Sequence, residues 1–136
     1  MRLLFLSNLY PPADRGGWEQ WCQEVADAFI ERGHEVTILT SRYGIETIRE
    51  PEPHVHRSLF LESDLNYYKP LDFFLHLPWR DRCNFRTLEK LVHQTQPDVV
   101  LIWGMWQLNP QLAVLAEELC QGRVAYYFCG YWPIEP

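Results

Sequence analysis

The sequence predicts an α/β domain of three layers, with a mostly parallel sheet of about five strands in the order 3-2-1-4-5. Two observations carry this reading. Short apolar runs alternate along the chain with stretches of helical spacing. The first run, Leu3-Leu4-Phe5-Leu6, is continuously apolar, as a strand covered on both faces should be. The length of 136 residues fits one such domain with a real core.

After that first strand, residues 18–32 switch to helical spacing. Trp18, Trp21, Cys22, Val25, Ala26 and Phe29 form one stripe, which assigns Trp18 and Trp21 to the core. Gly33 suits the left-handed position that ends a helix. Val36–Thr40 follows as the second strand, completing a strand–helix–strand unit. Residues 41–54, with Pro51 and Pro53, read as a loop, and Val55–Leu61 as a third strand.

Residues 62–80 resist assignment. The run "NYYKPLDFFLHLPW" is aromatic, interrupted by Pro70 and Pro78 and not periodic, so it reads either as a short helix or as a mobile flap. Helical spacing returns from Asp81 to Thr95 through Phe85, Leu88, Leu91 and Val92, and Pro97 stops it. Asp98–Trp103 is the fourth strand. Asn109-Pro110 places a capping side chain before a proline at the first helical position, and Leu112, Leu115, Ala116 and Leu119 give that helix its stripe up to Gly122. Val124–Phe128 is the fifth strand. No linker, repeat or low-complexity tract interrupts residues 1–136, and the proline-bearing ending reads as a cut at a domain edge.

The bulk numbers narrow the function. Net charge is −6 and no block of Lys or Arg occurs, which argues against tracking a nucleic-acid backbone. A single phosphorylated small molecule needs only a few backbone N–H groups and stays compatible. Cys22, Cys83, Cys120 and Cys129 form no C-x-x-C pair, a spacing that fits reduced thiols in the cytoplasm. The apolar start is too short for a signal peptide, and no apolar run approaches the roughly 20 residues of a membrane span. Peripheral attachment to the inner face of a membrane stays open.

In an open parallel sheet, ligands sit beyond the carboxyl ends of the strands. The loops there are residues 7–17, 41–54, 103–109 and 129–136, and they hold Asn8, Tyr10, Gly16, Gly17, Trp103, Gly104, Met105, Trp106, Cys129, Tyr131 and Trp132. The aromatic excess, 15% with six Trp, is thus partly gathered where a ligand would lie. Trp103, Trp106 and Trp132 read equally as core or as cleft wall. Gly16-Gly17 stands immediately before the first helix. Residues without Cβ let backbone approach a ligand and accept positive φ, and the positive helix end favours an anionic group. The plain alternative is a tight turn.

Other motifs are missing or bland. G-x-G-x-x-G and G-x-x-x-x-G-K-[ST] do not occur, which argues against dinucleotide and P-loop sites. D-x-D is absent too. His54 and His56 share a strand face but no third ligand is near, so a surface or packing role fits them better than metal. His34 reads as closing the helix–strand turn, and Glu19 as stabilising the helix N-terminus. Cys129 has no activating base in view and reads as a small or buried residue rather than a nucleophile.

The segment "RLLFLSNLYPPADRGGWEQWCQEVADAFIERGHEVTILTS", residues 2–41, resembles the opening of family 4 glycosyltransferases of the GT-B fold. Their pattern is strand, Pro-Pro loop, Gly-Gly-x-Glu, helix, R-G-H-E-V and strand. "QPDVVLIWGMW", residues 96–106, is similar to the family's fourth strand. The resemblance implies a Rossmann-like N-terminal domain that mainly holds the acceptor, with a nucleotide-sugar domain lying beyond residue 136. It implies sugar transfer with retention of configuration from a nucleotide-diphosphate sugar to a saccharide or lipid-linked acceptor, with no cofactor and no metal. Asn8, Tyr10, Gly16, Gly17, Trp103, Gly104, Tyr131 and Trp132 become the expected contacts to donor phosphate or acceptor. The sequence departs from the family after the fifth strand: where members carry H-D-x-W-P it has Cys129-Gly130-Tyr131-Trp132-Pro133, which leaves the catalytic residue unassigned. A stand-alone nucleotide- or phosphate-binding module, or a non-catalytic partner subunit, is the alternative.

Overall fold

The computed structural model describes residues 1–67 and 69–128. Five strands form one sheet: β1 (Arg2–Ser7), β2 (Glu35–Ser41), β3 (Val55–Leu59), β4 (Val99–Gly104) and β5 (Val124–Tyr126). Their order is β3-β2-β1-β4-β5 and every pairing is parallel. The helices are α1 (Gly17–Glu31), α2 (Pro70–Thr95) and α3 (Gln111–Cys120). The fold is therefore the α/β, Rossmann-like arrangement expected, down to the strand order.

Alternation along β1 divides the core. Leu4 and Leu6 pack with Leu88, Leu91 and Val92 of α2 and with Leu112 and Ala116 of α3. Leu3 and Phe5 face Cys22 and Ala26 of α1 on the other side. The central strand is apolar throughout because both faces are covered. The turn from α1 into β2 closes as expected: Gly33 takes φ +82°, and the backbone N–H of His34 donates to the Phe29 carbonyl at 3.0 Å. One stripe position differs. Trp21 is 52% exposed and leans on Trp18, with ring centroids 6.1 Å apart, instead of entering the core.

The strands β3 and β5 stop two residues short of their expected ends. The larger difference is α2, which begins at Pro70 rather than Asp81 and runs through Pro78. Proline at the first helical position costs nothing, since that N–H has no partner in any helix. Pro78 does remove one internal hydrogen bond, but it is exposed, so water can satisfy the freed carbonyl. The helix ends at Thr95 with Gln96 in the left-handed region at φ +46°. Asn84 fixes its height. Its side chain accepts from the N–H of Phe60 and donates to the Phe60 carbonyl, both at 2.8 Å, just beyond the end of β3. Residues 70–83 therefore extend past the carboxyl edge of the sheet, by roughly 20 Å at 1.5 Å per residue.

Candidate functional site

Ser7, Ser41, Leu59, Gly104 and Tyr126 end their strands on one edge, as parallel pairing requires. The loops leaving that edge are tied together. The N–H of Asn8 donates to the Gly104 carbonyl at 2.9 Å, and a Cβ added to Gly104 would collide with Asn8 Oδ1. Glycine at 104 thus lets the first and fourth strand ends close on each other.

The Pro-Pro loop is held by a residue that sequence reading passed over. Arg57 on β3 has a side chain only 5% exposed. Its guanidinium donates to the carbonyls of Tyr10 at 3.0 Å and Pro11 at 2.6 Å, and pairs with both carboxylate oxygens of Glu52 at 2.7 and 2.8 Å. The available signal was an arginine two residues after Val55 on the same strand face, where an apolar residue would be expected; the register shift that follows turns Leu59 to the opposite face. Gly44 locks the next loop at φ +68°. A Cβ there would stand 2.5 Å from that of Ala13, so Gly44→Ala should cost about 2 kcal/mol in urea unfolding, from left-handed strain and overpacking.

On this frame Gly16 and Gly17 lie exposed at the mouth of α1. Of the two reasons expected for glycine, open space and positive φ, the second does not apply at Gly16. Gly16 is fully extended (φ −173°, ψ −179°), a conformation any residue adopts, and among the described residues the positive-φ glycines are Gly33, Gly44 and Gly122. What the pair provides is space: among the described residues nothing lies within 4 Å of a Cβ placed on Gly17, and no side chain caps the first turn of α1. Glu19 sits in that first turn as expected, but it is buried and its Oε2 has no hydrogen-bond partner among the described residues.

Arg15, beside the pair, donates to Tyr43 Oη at 3.2 Å, to the Leu65 carbonyl at 3.3 Å and to Asn66 Oδ1 at 3.0 Å. Those segments wall a cleft of about 420 Å³ at the ends of β2 and β3, lined among others by Arg42, Tyr43, Ser63, Asp64, Lys69 and Arg80. Arg80 is committed to Asp72 at 2.6 Å and to the Glu62 carbonyl at 3.0 Å, and its hydrogen bond holds the Asp72 carboxyl below the usual range. The guanidinium of Arg42 lies 5.2 Å from the centroid of the Phe60 ring. Neither the Arg42 nor the Lys69 side chain has a hydrogen bond or ion pair among the described residues. The cleft can therefore offer two cations, a hydroxyl and a carboxylate to a polar ligand. A larger hollow, about 600 Å³, lies between α2 and α3 and includes no residue of the glycine loop.

The other expected contacts are placed differently. Tyr10, expected to contact a ligand, and Trp103, which the sequence left open between core and cleft wall, are 2% and 4% exposed and belong to the α1-side core. Trp103 donates its indole N–H to the Trp18 carbonyl at 3.1 Å and stacks on Tyr127 with centroids 4.1 Å apart. Asn8 and Gly104 are buried as well. None of these four lines either of the two hollows described above. Trp106, by contrast, is half exposed. Burial pushes the Cys22 thiol up to about 12, with a Ser7 hydrogen bond opposing and the Glu19 charge adding, so this cysteine stays protonated at neutral pH. Cys129, Gly130, Tyr131 and Trp132 lie outside the described residues. His54 and His56 join no cluster of metal-binding side chains among the described residues.

Comparison with known families gives a match to Glycosyltransferase Family 4 over residues 15–128. None of the curated proteins matches the chain.

Proposed function

Since the chain belongs to glycosyltransferase family 4, we propose that it is the acceptor-side half of a retaining transferase. In this reading a nucleotide-diphosphate sugar gives up its sugar to a saccharide or lipid-linked acceptor, with no metal. The observation that carries the proposal is the uncapped mouth of α1, whose exposed Gly16-Gly17 leaves backbone N–H groups open beside the polar cleft. Such amides, with the positive end of the helix behind them, stabilise charge that builds on a departing diphosphate. The cleft floored by Phe60 and walled by Tyr43, Ser63 and Asp64 suits the hydroxyls of an acceptor.

Donor contacts are assigned to a second domain facing this edge, which would complete the site. Residues 1–136 alone are therefore expected to turn over no sugar nucleotide, while the complete protein transfers sugar from at least one donor in a panel of nucleotide sugars. Chromatographic detection of the released nucleoside diphosphate reads both results. Robust turnover by residues 1–136 alone would overturn the division of labour. A complete protein that binds sugar nucleotides but transfers nothing would support the non-catalytic module, for which Cys129-Gly130 in place of His-Asp is the sequence signal.

A further inference from the structure

The polar cleft at the ends of β2 and β3 carries an imbalance of charge. Among the described residues its lining holds three cations, Arg42, Lys69 and Arg80, and two carboxylates, Asp64 and Asp72. Both carboxylates are already engaged. Asp72 gives one oxygen to Arg80 at 2.6 Å and the other to His76 Nδ1 at 2.8 Å. Asp64 Oδ1 accepts the backbone N–H groups of Asn66 at 2.8 Å and Tyr67 at 3.3 Å. Asp72 offsets Arg80, so Arg42 and Lys69 stand against the single charge of Asp64. Arg15 adds to the excess, because the acceptors it reaches on Tyr43, Leu65 and Asn66 are all neutral. A chain of net charge −6 thus gathers positive charge around one cleft.

The groups left over are chiefly donors. The Arg42 guanidinium lies against the Phe60 ring, which orients it while leaving its N–H groups uncommitted. Tyr43 Oη accepts from Arg15, so its own proton is left to donate. Ser63 differs: its hydroxyl donates to Gln107 Oε1 at 2.6 Å and offers lone pairs to a ligand. We propose that this cleft receives a sugar phosphate as the acceptor, with Arg42, Lys69 and Tyr43 on the phosphate and Ser63 on a ring hydroxyl. The role of acceptor rests on the transferase reading above; the binding itself does not. A phosphate ester presents three outer oxygens and close to two charges, matching three donors and two cations. A carboxylate would be satisfied by the Arg42 fork alone, and an uncharged sugar would leave both cations without a partner. The volume, about 420 Å³, suits a ligand of monosaccharide size. A lipid phosphate would also need an apolar path for its chains, whereas the fully exposed members of the described lining, Arg42, Asp64 and Lys69, are all charged.

Calorimetric titration of the complete protein with the 6-phosphates of glucose, mannose and fructose, and with the parent hexoses, tests this without sugar transfer. Its failure therefore leaves the transferase reading standing. At least one phosphate should bind about tenfold or more tightly than its hexose, the factor that a hydrogen bond to a charged group supplies. Arg42→Gln should weaken that binding by about tenfold and Tyr43→Phe by about fivefold. Arg42→Lys should recover only part of the loss, because an ammonium lacks the planar fork. Arg82→Gln removes an exposed cation outside the cleft and should bind as the parent does. Arg42 makes no hydrogen bond through its side chain among the described residues, so its variants should fold, and unchanged circular dichroism would confirm it. Four results would overturn the proposal: equal binding of phosphate and hexose across the panel, parental affinity in Arg42→Gln, an equal loss in Arg82→Gln, or tighter binding of a short-chain phosphatidic acid than of every hexose phosphate.

Discussion

Arg57→Met is expected to lower the stability of the domain by about 3 kcal/mol in urea unfolding, with little change in the slope of the transition. The size follows from what the substitution strands. Arg57 is nearly out of contact with water, and its guanidinium satisfies both oxygens of Glu52 and the carbonyls of Tyr10 and Pro11 at once. Methionine fills the channel left by the stem but returns none of those bonds. A half-buried carboxylate and two carbonyls would then have to find water or move. Arg57→Lys should recover only part of the loss, because one ammonium cannot present the planar fork that Glu52 receives. The double variant Arg57→Met/Glu52→Gln should be less destabilised than Arg57→Met, since it removes the stranded charge. If Arg57→Met proves as stable as the parent, the Pro-Pro loop is held by something other than this clamp.

The clamp also marks where sequence reading failed. Apolar runs placed β1, β2 and β4 and the central order of the sheet, because strands covered on both faces leave a continuous signature. The stripe of α1 was visible for the same reason, apart from Trp21, which periodicity cannot separate from its buried neighbours Cys22 and Ala26. The first half of α2 was hidden. Its residues overhang the sheet and are apolar on more than one side, with Phe73 and Leu77 besides Leu71, Phe74 and Leu75, so no single stripe stands out; Pro70 and Pro78 then suggest breaks that the geometry tolerates.

The candidate site shows the same division. Gly16-Gly17 stood out as a local pattern, and it does sit exposed at the helix mouth. The buried rings did not. Tyr10 and Trp103 belong to loops or strand ends that ought to face a ligand, yet their rings turn into the α1-side core. Which way a ring turns depends on packing between residues some ninety positions apart, and no short window contains that information. The cleft was missed as well, since Arg42, Ser63 and Lys69 meet only once β2, β3 and α2 are assembled.

Gly17→Val should weaken sugar-nucleotide binding by the complete protein by about two orders of magnitude, roughly the worth of one strong or two ordinary hydrogen bonds to a charged group, while the fold survives. Two facts separate these effects. Among the described residues a Cβ at 17 meets no atom within 4 Å, so the side chain fits without moving the domain. Glycine is the poorest helix former after proline, so Gly17→Ala should hold or raise stability by up to about 1 kcal/mol. The space that receives the new methyl groups is the space in front of the uncapped amides. A ligand that uses those amides must lose contact in proportion to the bulk added, alanine less than valine. Thermal melting and calorimetric titration of the same samples read the two quantities separately. Weaker binding together with an equal loss of melting temperature would trace the effect to a disturbed helix. Wild-type affinity in the valine variant would reduce Gly17 to a residue that merely opens α1, and the diphosphate would have to be held elsewhere along the strand ends.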